Sequence, residues 1–285
     1  MQDWVSFDTL YREVVLNIEY TNLSPLRIGA GTAKLPTSPI DLQVITIVKN
    51  GVHVPYIPGS SLKGVLRTVS ENIVNSLNLH GYKCFMGDGC KSRYDEVLKD
   101  YLKRNLLDDV KKLLQNYCPV CKVFGSASFS AHIHVNDAYP VSSSVGRGVK
   151  VGIAIDRRSG AAKKGAFYTV EYVEPGVVFH GSLVFKNTPN YLIGLVVNAL
   201  DMINSGYISI GGFKTRGFGK IKVDYKGIDG VSLQNNRYLR INEIKELSGL
   251  DEYDSPVLLD SVERFLSGVK EAWGRYVEKK YSGKS

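Results

Sequence analysis

No stretch of this chain approaches the roughly 20 consecutive apolar residues that a membrane-spanning helix requires. Met1-Gln2-Asp3-Trp4 lacks the basic-then-apolar pattern of a signal peptide. A soluble, intracellular, cytoplasmic protein is therefore expected, with no membrane partner. Heptads and short repeats are missing as well, which argues against coiled coils and repeat arrays. Ser-His-Asp and Cys-His arrangements of nucleophile and base cannot be assembled from the sequence. Cysteine is scarce, with four residues all lying between Cys84 and Cys121. Such clustering in a reducing compartment suggests metal ligation before disulfides. Acidic residues are the minority charge: 28 Asp and Glu against 36 Lys and Arg leave a net charge of +8. That balance favours an acidic partner, with nucleic acid first.

What is present suits one large domain with insertions, or two small ones. The 285 residues are 44% hydrophobic and 22% charged, enough to fill a sizeable core. Residues 12–20 read as a first strand through β-branched residues and partial alternation. Strands around 42–48 and 52–57 flank Lys49-Asn50-Gly51, where Asn-Gly signals a tight hairpin turn. A helix then runs to about residue 79, with Leu62, Val65, Leu66, Val69, Ile73 and Leu77 in one core-facing stripe. Residues 80–125 look like an insertion, with a helix from about Tyr94 toward Leu114.

Residues 131–139 alternate as a strand, with His132 and His134 on one face and suited to contact RNA. Between Pro140 and Gly165 the hydrophobic pattern disappears, and Arg147, Lys150, Arg157, Arg158, Lys163 and Lys164 accumulate. Strands at 166–173 and 177–186, an apolar helix at 191–203, strands at 207–210 and 220–225 and a helix at 255–276 follow. Strand, helix, strand, repeated once, is a duplicated split βαβ arrangement. The expected class is α+β, with a ferredoxin-like (RRM-like) core from residues 1–79 and 126–226. A cysteine-containing insertion at 80–125, a basic protrusion at about 140–166 and a helical extension at 227–285 complete it.

Three motifs carry chemistry. Pro58 and Gly59 break an extended segment, and Ser60 or Ser61 suits the N-cap of the following helix, with Lys63 and Arg67 on one side of its first turns. Amides, hydroxyls and cations at one helix start outline an anion site, or equally a well-capped surface helix. Gly211-Gly212-Phe213-Lys214-Thr215-Arg216-Gly217-Phe218-Gly219-Lys220 combines glycines that admit a close ligand with three cations. A strand follows it, whereas Walker A and Rossmann loops need a helix there. The third motif is Cys84-x₅-Cys90 with Cys118-x₂-Cys121. Its second half is a zinc-knuckle signature, and a tetrahedral Cys₄ site would be structural; His80 is the alternative fourth ligand.

The helix start Pro58-Gly59-Ser60-Ser61-Leu62-Lys63-Gly64-Val65-Leu66-Arg67, paired with the glycine loop, resembles the RAMP superfamily of CRISPR proteins. Pro25-Leu26-Arg27-Ile28-Gly29, the run from Cys118 to Ser126, Val135-Asn136-Asp137-Ala138 and the run from Ile155 to Ala166 are similar to the Csm-type backbone subunit of type III effector complexes.

The resemblance implies a filament subunit that holds CRISPR RNA and presents it to a complementary target RNA. Copies of the chain and other RAMP subunits would be its partners. It also implies a β-hairpin thumb, here the basic 140–166 stretch. RNA contacts are then expected at Arg27, Ser60, Ser61, Lys63, Arg67, the six thumb cations, Gly211, Gly212, Lys214, Arg216 and Lys220, with the helix start and glycine loop gripping one strand. The family also cleaves target RNA through a loop aspartate, which falls on Asp41, with a divalent metal such as Mg. Two alternatives remain: a non-catalytic scaffold of the same complex, and a RAMP-type endoribonuclease that processes the CRISPR transcript.

Overall fold

The computed structural model describes residues 4–29, 40–79 and 81–282. Strand β1 (Arg12–Asn22) alternates without a break, burying Val14, Leu16, Ile18 and Tyr20 on one face. β2 (Thr46–Lys49) and β3 (Val52–Pro55) form a hairpin whose turn residues Asn50 and Gly51 have φ of 52° and 78°. Helix α1 (Gly59–Leu77) buries Leu62, Leu66, Val69 and Val74.

The single helix expected in the insertion is two, α2 (Asp88–Lys103) and α3 (Leu107–Gln115), separated where Asn105 adopts φ 55°. The short α4 (Pro119–Phe124) is wholly buried. β4 (Ile133–Val135) and β5 (Tyr139–Pro140) precede a long hairpin, β6 (Arg147–Ile155) and β7 (Ala162–Val173). Then come β8 (Val178–Lys186), α5 (Asn190–Asn204), β9 (Ile221–Gln234), β10 (Arg237–Arg240) and α6 (Val262–Ser282). Residues 207–210, expected as a strand, lie outside the strands and lead into the glycine loop.

One antiparallel sheet organises the molecule, in the order β10-β9-β1-β8-β4, with β5 also pairing β8. Helices α1 and α5 pack against each other, α1 contacting β4 and α5 contacting β9. The basic stretch is a defined hairpin. β6 and β7 form a two-stranded sheet of their own, moored at the base by bridges Leu26–Val173 and Leu42–Val170. Its tip is a closed turn, because the Asp156 carboxylate accepts from the Arg158 and Ser159 amides.

The extension at 227–285 is not a separate helical unit. Its proposed boundary falls inside β9, which continues to Gln234 and pairs β1 along its whole length, with a register shift at Asn17/Ile18. α6 packs on α5 so closely that a Cβ at Gly194 would lie 2.0 Å from the Val269 carbonyl oxygen. The Tyr191 and Tyr276 rings stack there at 4.4 Å.

His132 and His134 do not share an environment. His134 is exposed, whereas His132 is buried among Trp4, Phe7 and Phe129 and its Nδ1 lies 2.8 Å from the Lys186 carbonyl oxygen. Burial lowers the His132 pKa to about 4. The folded state thus binds fewer protons than the unfolded state between about pH 6.5 and 4, so stability falls as pH drops through that window. At about 1.4 kcal/mol per pKa unit, the loss reaches a few kcal/mol. Urea melts between pH 7 and 4 should show a steeper decline in wild type than in His132→Phe.

Candidate nucleic-acid interface and metal centre

α1 starts in a different way from the one its serines suggest. Pro58 is the N-cap and offers no side-chain capping bond of its own, and neither serine supplies one. The Gly59 amide donates to Asp137 Oδ1 at 2.7 Å, and the Ser61 and Leu62 amides both donate to the Pro58 carbonyl. A carboxylate of the protein therefore already sits at the helix end, where the dipole favours it. Gly59 is required for this approach, since a Cβ would stand 2.0 Å from the Val135 carbonyl oxygen. The helix start offers an incoming anion its side chains, not a set of free amides.

Those side chains line a trough of about 630 Å³ beside the edge strand β4, which includes Ser60, Lys63, His134, Asn136 and Lys186. Ser130 and Ala131 join it to a second cavity of about 680 Å³ lined by Arg67, Met86 and residues 124–131. The cations are crowded. Burial and then Arg67 lower the Lys63 pKa, and burial followed by Lys186 and Lys63 lower that of His134. Glu13, 3.4 Å from Lys186, offsets part of this field. Ser61 is half-buried on the same helix. Lys186 and residues 127–131 carried no motif; only their place beside α1 brings them in.

The glycine loop joins the hairpin rather than α1. Val135 of β4 is level with Leu183 and Leu16, and the loop meets the chain at residues 23–27. Along β1 that is seven residues, or roughly 23 Å at about 3.3 Å per residue. The two motifs can contact one strand only several nucleotides apart. Gly212 donates to the Arg27 carbonyl at 2.7 Å and Gly219 to the Pro25 carbonyl at 2.9 Å. Gly211 has φ 79° and a Cβ there would meet the Arg27 carbonyl oxygen at 2.4 Å, so close backbone packing fixes that glycine.

Cations and rings alternate at this junction. The Arg27 and Arg216 guanidinium groups lie 5.5 and 4.9 Å from the Phe213 ring centre, and Lys150 lies 5.6 Å from that of Phe218. Arg216 also donates to the Tyr168 hydroxyl of β7. Burial lowers the Arg27 pKa. Lys214, Arg216 and Lys220 are exposed, as are Arg157, Arg158 and Lys163 toward the hairpin tip. Arg147 is exposed but paired with Glu171 at 3.4 Å. The Lys164 side chain lies outside the described residues. Phe213, Phe218 and Tyr168 carried no weight in the sequence; the signal was aromatic residues interleaved with cations.

Asp41 stands at the hairpin base. Its Oδ2 accepts from the Thr169 amide at 2.9 Å and the Thr169 hydroxyl at 3.1 Å, while its own amide donates to that hydroxyl at 2.9 Å. The loop just before it, residues 30–39, lies outside the described residues.

Cys84, Cys90, Cys118 and Cys121 are all buried, and their sulfur atoms lie within 4.8 Å of one another. Zinc–sulfur bonds of about 2.3 Å in a tetrahedron place sulfurs about 3.8 Å apart, so this set fits a metal such as zinc. Amide donors support the same reading: Cys118 N–H to Cys90 Sγ at 3.3 Å and Cys121 N–H to Cys118 Sγ at 3.4 Å. Hydrogen bonds among the four sulfurs hold Cys84 and Cys90 below the ordinary thiol pKa and, with burial, push Cys118 and Cys121 above it. His80 lies outside the described residues. A closed shell of four thiolates around such a metal would leave no position for water, the arrangement of a structural rather than a catalytic site.

Residues 19–222 match the RAMP superfamily. The chain belongs to that superfamily. RAMP proteins are CRISPR-associated RNA-binding proteins that act in RNA–protein complexes. No curated protein matches closely enough to count as a relative. Among the described residues, no helix of this RAMP protein is long and apolar enough to cross a membrane. The matched region ends within β9, so β10 and α6 lie beyond it.

Proposed function

We propose that this RAMP protein is the guide-binding backbone subunit of a type III CRISPR effector complex, with zinc in its cysteine cluster. The observation that carries the reading is the moored β6–β7 hairpin, whose base shares its cation–aromatic junction with the glycine loop. A strand of RNA tracked along Lys63, the glycine loop and Arg27 would meet the hairpin where it leaves the body. The strand order β9-β1-β8-β4 and the packing of α1 and α5 support a ferredoxin-like core. The two central strands lack the stacking aromatics through which an RRM reads RNA. The face away from the buried side chains carries Glu13, Val15, Asn17, Glu19 and Thr21 of β1 and His180, Ser182, Val184 and Lys186 of β8, with no Phe, Tyr or Trp in either row. Base identity is left to pairing with the guide.

Purification from the native host and sequencing of bound RNA tests the class: short RNAs carrying CRISPR spacers are expected, and random cellular RNA overturns the reading. Affinity should also fall steeply with salt, because cation–phosphate contacts dominate it.

Asp41 beside β7 supports target cleavage by the same chain, since a target nucleotide splayed by the hairpin would pass close to it. In the assembled complex with Mg, Asp41→Ala is expected to slow cleavage by about 100-fold or more while guide binding persists. The two bonds from Thr169 favour a second reading, in which Asp41 only anchors the hairpin and a sister subunit cuts. Unchanged cleavage in Asp41→Ala would establish that reading.

A further inference from the structure

One row of α1 runs from the RNA-facing trough to the cysteine cluster. Lys63, Arg67, Glu71 and Asn75 are spaced by four residues and therefore share a helix face. At the far end Asn75 clasps Cys84, accepting from its amide at 3.0 Å and donating to its carbonyl at 3.2 Å. One turn back, the buried Glu71 carboxylate accepts from the Met86 amide at 2.8 Å and from Arg67 Nε at 2.9 Å through the same oxygen, Oε1. Met86 holds a left-handed backbone conformation, φ 50°, two residues after Cys84. Arg67 Nη2 and Ser126 Oγ are both buried and find no hydrogen-bond partner among the described residues. Both residues line the cavity of about 680 Å³. Each is a buried donor left without an acceptor on a residue that lines this cavity, and a phosphodiester oxygen is an acceptor suited to a guanidinium or a hydroxyl.

We propose that Glu71 is a positioning residue that couples the metal centre to RNA binding. With all four thiolates on the metal, the 84–86 loop is fixed, Met86 holds Glu71, and Glu71 holds Arg67 toward the phosphate cavity. Loss of the metal frees the loop and, through Glu71, the arginine. RNA affinity then follows metal occupancy, and by linkage bound RNA tightens the metal. This rests on the RNA-binding reading above and adds a route by which metal starvation or thiol oxidation disarms the subunit.

The test uses the full chain, a fluorescein-labelled single-stranded RNA carrying a CRISPR repeat and spacer, and metal content measured alongside. Glu71→Ala with its metal retained is expected to lose about tenfold in affinity, as Arg67→Ala does, and the double variant should lose no more than either. Glu71→Gln, which keeps an acceptor oxygen, should retain most of the affinity. Chelation should weaken wild type but not Arg67→Ala, and this arm decides the matter even where Glu71→Ala fails to fold. Independently of RNA, the Arg67 Hε resonance should broaden or shift when the metal is removed. An Arg67 resonance indifferent to metal, or RNA binding equal before and after chelation, overturns the coupling. A metal-loaded wild type that binds no RNA while its Arg67 resonance does respond overturns the RNA-binding reading instead.

Discussion

Chelating metal from the cysteine cluster is expected to open α2 and α3, residues 88–115, to protease while the six-stranded sheet stays folded. The reason is how little else holds the insertion together. α2 buries only Cys90 and Leu98, and α3 buries no side chain. One fully buried leucine contributes about 1.5–3 kcal/mol, against backbone ordering that costs about 1–2 kcal/mol per residue. Structural zinc in small sites contributes on the order of 10 kcal/mol, so a metal held by the four cysteines would be the dominant favourable term here. α4 behaves differently, since it is packed into the main core beside α1.

Lys91, Arg93, Lys99, Lys103, Arg104, Lys111 and Lys112 give trypsin its sites in the segment that should open. Cleavage there is expected to accelerate by about 100-fold or more once metal loss is verified by elemental analysis, and Cys121→Ser should reproduce it without chelator. Fragments should map to 91–112, with β1, β8 and β9 intact. An unchanged cleavage pattern after complete metal removal would show that packing alone holds the insertion.

The parts of this molecule legible in its sequence are those fixed by local chemistry. The α1 stripe of Leu62, Leu66 and Val69 is buried as its spacing implies, and Asn50-Gly51 turns the first hairpin through two positive φ values. The four cysteines assemble from 37 residues apart because ligand spacing is a local code. Other features depend on distant partners. Asp137, not Ser60, satisfies the start of α1, and Asp41 answers to Thr169, 128 positions away. The basic hairpin is expected only from the family resemblance, and its strand pattern goes unread for a different reason. Val149, Val151, Ile153 and Ile155 do alternate with Gly148, Lys150, Gly152 and Ala154, but neither face of β6 enters the core. Strand periodicity without burial looks like a loop.

The largest single-residue effect is expected at Asp254, in the segment beyond the RAMP match. Two cations are buried in the core nearby, Arg12 and Lys122, and burial lowers their pKa values to about 10 and about 8. Asp254 lies 3.6 Å from Arg12, and Asp251 accepts from the Trp4 indole and the Tyr191 hydroxyl, both at 3.1 Å. Asp254 also caps α5, whose own N-cap is a proline. It accepts from the amides of Asn190 at 3.0 Å and Tyr191 at 3.3 Å, and from Leu250 at 2.9 Å.

Asp254→Ala therefore leaves a buried guanidinium unpaired, at about 3–5 kcal/mol, and removes a cap worth about 1 kcal/mol. A Tm lower by about 10 °C or more follows at about 2–4 °C per kcal/mol. Replacing both partners by apolar residues often restores a buried ion pair's stability. It is not expected to do so here, because Arg12 also donates to the Thr188 and Ser248 carbonyls and Asp254 serves three amides. Thermal melts of Asp254→Ala, Arg12→Met and the double variant decide this. A double variant close to wild type would mean that the pair contributes charge balance alone; one as unstable as Asp254→Ala shows that the extension closes the core by capping α5.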